Sequence, residues 1–146
     1  MVEPLRWGII GTGKIAHTFT DEVSALDGHR VVAVASRTAS RAAQFAGDNG
    51  IPIAHDSVTG LAADDDVDVV YVATPHPAHP DGALAAIAAG KPVLVEKPFA
   101  VTAADARRVA DAAAAAGVFC MEAMWTRFLP HTRWVRQLLA AAAVGR

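Results

Sequence analysis

An alternation constrains this chain more than any other feature. Short apolar runs, many of them β-branched, recur at Trp7 to Ile10, Val31 to Ala35, Ile51 to Ala54, Val67 to Ala73, Val93 to Val95 and Val118 to Met121. Between them lie Ala-rich stretches of helical length, at Lys14 to Leu26, Ala39 to Asp48, Asp81 to Ala89 and Ala103 to Ala116. Continuous apolar runs are what strands buried on both faces require, and their regular spacing by helices predicts βαβ units in a doubly wound parallel sheet, a three-layer α/β/α fold. Punctuation agrees: Pro80 can open a helix that ends before Gly90, and Thr102 with Asp105 approximates a capping box on a helix closed by Gly117. The segment from Ser57 to Asp66 is weaker, and its trio Asp64, Asp65 and Asp66 reads as a solvated turn rather than a metal site. From His131 to Val144 a last helix places Trp134, Val135, Leu138, Leu139 and Ala142 on one face.

Composition narrows the function classes. The 146 residues make about one domain, and 53% hydrophobic against 19% charged residues is ample for a packed core. Thirteen basic and fifteen acidic residues leave a net charge of −2 with no basic block, which argues against a nucleic-acid partner. No apolar run approaches the roughly 18 residues a membrane span needs, and no signal-peptide core precedes the first glycine turn. With Cys120 as the sole cysteine, an intrachain disulfide is impossible. A cytoplasmic location is the expectation.

Chemistry concentrates at the ends of the apolar runs. Gly11-Thr12-Gly13-Lys14-Ile15-Ala16 follows the first run and opens the first helix, the setting a GxGxxG/A dinucleotide loop requires. There Gly11 permits a tight turn, Gly13 lets backbone approach a pyrophosphate, Ala16 allows close helix packing, and the helix N-terminus faces the anion. After the second run a cofactor without a 2′-phosphate is usually met by an acid. This chain instead has Ser36-Arg37-Thr38-Ala39-Ser40-Arg41. Arg37 and Arg41, four apart at a helix start, can converge on an adenosine 2′-phosphate with the Ser36 hydroxyl, which predicts NADP(H) over NAD(H). The plain alternative is two solvated arginines.

Two further turns carry histidines and a lysine. Ala73-Thr74-Pro75-His76-Pro77-Ala78-His79-Pro80 lies at the carboxyl end of a central strand, where such sheets bind ligands. His79 reads either as a ligand contact or as a helix-cap or loop residue, and no third and fourth ligand suggests metal. Val95-Glu96-Lys97-Pro98-Phe99 ends the fifth strand, and a Lys-Pro bond tolerates the cis form. A partly buried Lys97 would suit proton transfer; otherwise it is an ordinary strand-end lysine.

Taken in order and spacing, GTGKIA, SRTASR, ATPHPAH and VEKPFAVT resemble the glucose-fructose oxidoreductase, inositol dehydrogenase and rhizopine catabolism (Gfo/Idh/MocA) family. Met121 to Pro130, reading MEAMWTRFLP, is most similar to its dihydrodiol and xylose dehydrogenase branch. The resemblance implies a Rossmann-type NADP-binding domain over residues 1–124, then a connecting segment and helix over 125–146. It implies that Lys97 stands beside the nicotinamide and the substrate hydroxyl, with Pro98 in a cis bond. Thr74, Pro75, His76 and His79 would line the cofactor cleft, Glu96 would lie near the nicotinamide ribose, and Trp125, Arg127 and Phe128 would wall the substrate pocket.

The expected activity is NADP-dependent hydride transfer to or from a CH–OH or carbonyl of a sugar, cyclic polyol or dihydrodiol. The alternative is a non-catalytic NADP-binding sensor or regulatory module. The family's second α+β domain, which would supply further substrate contacts and the oligomer interface, is missing from these residues, so turnover by this chain alone is not expected.

Overall fold

A computed structural model describes residues 3–143. In chain order they form β1 (Leu5–Ile10), α1 (Lys14–Ser24), β2 (His29–Ala35), α2 (Ala39–Asn49), β3 (Ile53–His55) and α3 (Val58–Ala62). The second half runs β4 (Val69–Val72), α4 (His79–Ala88), β5 (Val93–Val95), α5 (Ala103–Ala116), β6 (Cys120–Glu122) and α6 (Pro130–Ala140). Single 3-10 turns lie at His76–Ala78 and Trp125–Phe128.

All strand pairs are parallel, in the order β3-β2-β1-β4-β5-β6. The chain starts at the centre, winds outward to β3, then returns past β1 to build the other half. The strand order therefore reverses between β1 and β4, and a crevice opens there at the carboxyl ends of the strands.

Both faces of the sheet are apolar because each is covered by helices. On one face Ile9, Val34 and Tyr71 pack with Ala16 and Val23 of α1 and with Phe45 of α2. On the other, Ile10, Val70, Val72, Val93 and Val95 meet Leu61, Ala83, Ala86, Ile87, Val109 and Ala113 from α3, α4 and α5. Coverage is unequal. Over β4 to β6 the first face is covered only in part, by Phe19 stacked on Tyr71 at 3.8 Å between ring centroids, while Leu94 and Met121 stay half-buried.

Local chemistry sets most boundaries. Thr102 Oγ1 accepts the Asp105 N–H at 3.1 Å and its hydroxyl donates to Asp105 Oδ2 at 2.7 Å, so the cap on α5 is present in modified form. Gly117, at φ +66°, closes the same helix. The third strand lies two residues later than its apolar run suggests, because Ile51 is used to close α2, its N–H bonding Ala46 O at 2.9 Å.

Two sequence expectations need correction. The last helix ends at Ala140 rather than reaching Val144: the Ala143 N–H bonds Leu138 O at 3.0 Å and Ala142 adopts φ +54°, a left-handed stop built without glycine. Ala142 thus leaves the helical face, and Val144 falls outside the described residues. The acidic trio is also not wholly solvated. Asp65 and Asp66 are exposed, but Asp64 is half-buried, with Oδ2 at 2.8 Å from His55 Nε2 and Oδ1 accepting the Asp66 N–H. Burial pushes the Asp64 carboxyl up; the bonds from Asp66 and His55, with the charges of His55 and Lys91, outweigh it and hold it below the usual range.

Candidate functional site

The β1/β4 switch point opens into a cleft of about 900 Å³. One wall is the loop Gly11-Thr12-Gly13; the other carries Ser36, Arg37, Thr38 and Arg41 from the β2–α2 turn; Thr74 and Pro75 after β4 form the floor. Gly11 sits at φ +116°, and a Cβ there would stand 2.4 Å from the Ala73 carbonyl oxygen, so only glycine lets the two strand ends pass this closely. Gly13 heads α1 in extended conformation, and a Cβ added to it would meet nothing within 4 Å. Its surroundings are open space in front of a helix N-terminus whose first turn carries no acid.

Arg37 and Arg41 bracket the start of α2, with Thr38 as N-cap. Both are exposed and both line the cleft, so the two cations share one wall with the half-buried Ser36. The Thr74 hydroxyl oxygen is buried without a hydrogen-bond partner at the cleft floor. A buried unpaired hydroxyl costs about 1 to 3 kcal/mol, which a polar ligand group would offset. Open backbone at a helix N-terminus, two arginines on one wall and an orphaned hydroxyl together fit a dinucleotide.

The Lys97 turn is built differently. The Lys97–Pro98 bond is cis. Glu96 spans the turn's entry, its Oε2 accepting the Lys97 N–H at 3.0 Å while Oε1 accepts the Tyr71 hydroxyl at 2.7 Å. Burial, then the bond and charge of Glu96, push the Tyr71 phenol far above its ordinary value, so it stays a proton donor. Glu122 Oε1 accepts the Phe99 N–H at 2.8 Å and fixes the turn's exit. Lys97 itself is exposed, as the ordinary strand-end alternative requires.

Glu96 also borders a second, more apolar hollow of about 580 Å³. Ile15, Phe19, Leu94, Met121, Trp125 and Phe128 line it over the incompletely covered part of the sheet. Trp125 and Phe128 are 63% and 61% exposed. Arg127 is exposed beside them but does not line the hollow. Among the described residues no cluster of three His, Cys, Asp or Glu could hold a metal ion.

The expected site residues thus divide. Gly11, Thr12, Gly13, Ser36, Arg37, Arg41, Thr74 and Pro75 meet at the cleft, whereas Ile15, Glu96, Trp125 and Phe128 meet at the hollow. Lys14 and His76 are exposed and line neither. His79 does not open onto the cleft at all: it is fully buried, with both ring nitrogens against backbone carbonyls. Sequence reading also missed Asp81 and Gly82, which complete the cleft wall from α4. The available signal was the acid in that helix's first turn. Cys120 is half-buried and burial raises its thiol.

The chain is similar to known proteins in sequence and fold. The model of an oxidoreductase family with an NAD-binding Rossmann fold, Gfo/Idh/MocA, matches residues 5–124. Trans-1,2-dihydrobenzene-1,2-diol dehydrogenase of Mus musculus is 46% identical over 143 residues, covering 97% of this chain and 43% of its own length. Among solved structures, an NAD binding oxidoreductase from Klebsiella pneumoniae superposes with TM-score 0.86 at 32% identity, over 95% of this chain and 39% of that one. KijD10, a 3-ketoreductase from Actinomadura kijaniata in complex with TDP-benzene and NADP, gives TM-score 0.84 at 33% identity, over 99% and 46%. The chain therefore spans less than half the length of these relatives. Its sheet order, its glycine loop and the match over residues 5–124 make this chain a member of the Gfo/Idh/MocA oxidoreductase family, carrying that family's nicotinamide-dinucleotide-binding Rossmann fold.

Proposed function

We infer that this chain is the NADP(H)-binding part of a dehydrogenase that interconverts a CH–OH group and a carbonyl on a cyclic diol, polyol or sugar. The observation that carries the reading is the shared wall of Arg37 and Arg41 in the cleft that also holds the glycine loop. Relatives named for NAD and for NADP both exist, so the preference rests on this wall.

A bound nicotinamide supplies or accepts the hydride. The chain's own residues do the rest. Backbone N–H groups at Gly13 and the start of α1 would hold the pyrophosphate, Arg37 and Arg41 would donate to the 2′-phosphate, and Thr74 would offer its unpartnered hydroxyl. Lys97 is the proton carrier: its ammonium gives a proton to the carbonyl oxygen in reduction, and its amine takes the hydroxyl proton in oxidation. Glu96, held by Tyr71, orients the Lys97 backbone. Trp125 and Phe128 are apolar enough to hold a cyclic substrate against the hollow. The second α+β domain would complete the substrate site and the oligomer contacts.

Calorimetric titration with NADPH and with NADH tests this. NADPH should bind tighter by tenfold or more, and Arg37→Ala should bring its affinity down to near the NADH value, since one charge-assisted contact is worth about 1.5 to 3 kcal/mol. Equal affinities that the substitution leaves unchanged would overturn the preference.

A further inference from the structure

Among the described residues Asp81 is the one acid that lines the β1/β4 cleft. Packing puts it there. A Cβ on the neighbouring Gly82 would stand 3.0 Å from Val72 Cγ1, so α4 lies close on β4 and carries Asp81 to the wall beside Pro77 and Ala78. The carboxylate is free to act. Its side chain is 85% exposed, Arg108 Nη2 stands 3.8 Å from its Oδ1 but nearer to Asp105, at 3.5 Å, and among the described residues it accepts no hydrogen bond.

Such a group opposes the rest of the cleft. The glycine loop and the two arginines draw phosphates, and a carboxylate beside them weakens binding unless it meets a hydrogen-bond donor. A dinucleotide offers donors of three kinds: ribose hydroxyls, the nicotinamide carboxamide and the adenine amino group. The adenosine ribose adjoins the 2′-phosphate on the opposite wall of Ser36 and Arg37, and the nicotinamide lies toward Glu96 and Lys97, which line no part of this cleft. The amino group remains. We propose that Asp81 is a specificity-determining residue that accepts a hydrogen bond from the exocyclic amino group of adenine, the base lying in the apolar stretch formed by Val58, Pro75, Pro77 and Ala78. It selects against a base with a carbonyl oxygen at that position, because that oxygen would face a carboxylate with no proton between them. An acid in the first turn of α4 also suits the helix dipole, but that role is blind to the base.

The proposal rests on the NADP(H) reading above. Calorimetric titration of the 146-residue chain with NADPH and with its deaminated analogue, nicotinamide hypoxanthine dinucleotide phosphate, tests it. The unsubstituted chain should bind NADPH about tenfold tighter than the analogue, as the loss of one charge-assisted bond requires. Asp81→Ala should bring NADPH down to the analogue's affinity, and Asp81→Asn, whose amide can accept from an amino group or donate to a carbonyl, should bind the two about equally. Equal affinities in the unsubstituted chain, or a preference that survives Asp81→Ala, would overturn the proposal and leave the cofactor reading standing. A chain that binds neither form would overturn both.

Discussion

The glycine loop and the Lys97 turn both cap the carboxyl end of one sheet, yet they are held in place by different means. The loop is fixed by backbone: the Gly11 N–H donates to Ala35 O at 2.9 Å, and the missing Cβ lets Gly11 pass the Ala73 carbonyl. The turn is fixed by side chains from elsewhere. Glu96 with Tyr71, Glu122 on Phe99, and His79 on Pro98 bridge sequence separations of 25, 23 and 19 residues. At Gly11 the backbone-held loop tolerates no added atom, whereas a site held by several side chains should loosen by steps.

Substitutions at each turn can break or sharpen that contrast. Gly11→Ala should have the largest effect, because its Cβ would meet Ala73 O at 2.4 Å in a left-handed conformation. A loss on the order of 3 kcal/mol in urea unfolding, together with loss of NADPH binding, is expected from strain and overpacking combined. Stability within experimental error of the parent would remove the backbone half of the comparison.

Glu122→Ala comes next. It strips the Phe99 N–H of its acceptor at a half-buried position and should cost about 1 to 2 kcal/mol, with NADPH affinity close to the parent's because the cleft is untouched. A collapse of affinity as large as that of Gly11→Ala would show that the two turns act as one unit.

The smallest effect lies away from both turns. Asp68 accepts from the Arg6 backbone N–H and guanidinium, at 2.7 to 3.0 Å, and the Arg6 bond holds its carboxyl below the usual aspartate range despite partial burial. The unfolded chain then binds the proton more readily, so this contribution is present above about pH 4 and fades as pH falls through the lower folded value. Asp68→Asn should therefore be less stable than the parent at pH 7, with the gap narrowing in acid unfolding profiles. A gap that persists unchanged at pH 2 would assign the effect to packing instead.

The same contrast explains what was legible in the sequence. The alternation of strand and helix, the glycine loop, and the arginine pair at the start of α2 are local patterns whose physics is complete within a few residues. The capped helix α5 spans the residues its signals mark, Ala103–Ala116. What escaped was long-range. His79 looked like a cleft residue because its neighbours are, and only the fold brings Pro98 O to its other nitrogen. For Lys97 the sequence left a partly buried and an ordinary strand-end position both open, and the fold leaves it exposed. The end of α6 was missed because Ala142 takes the left-handed role that glycine usually signals. Of the helix's apolar face, Trp134 and Leu139 lie within α6 and are 60% and 59% exposed, whereas Ala142 falls beyond its end.

The central claim is that the β1/β4 crevice binds the dinucleotide, with its phosphates between the glycine loop and the arginine pair. Backbone amide NMR during an NADPH titration of the 146-residue chain tests it most directly. Shifts concentrated at residues 11–13, 36–41 and 73–75, with α6 and the Arg6–Asp68 corner still, are the predicted result. Shifts confined to the apolar hollow around Trp125 and Phe128, with the glycine loop unmoved, would contradict it.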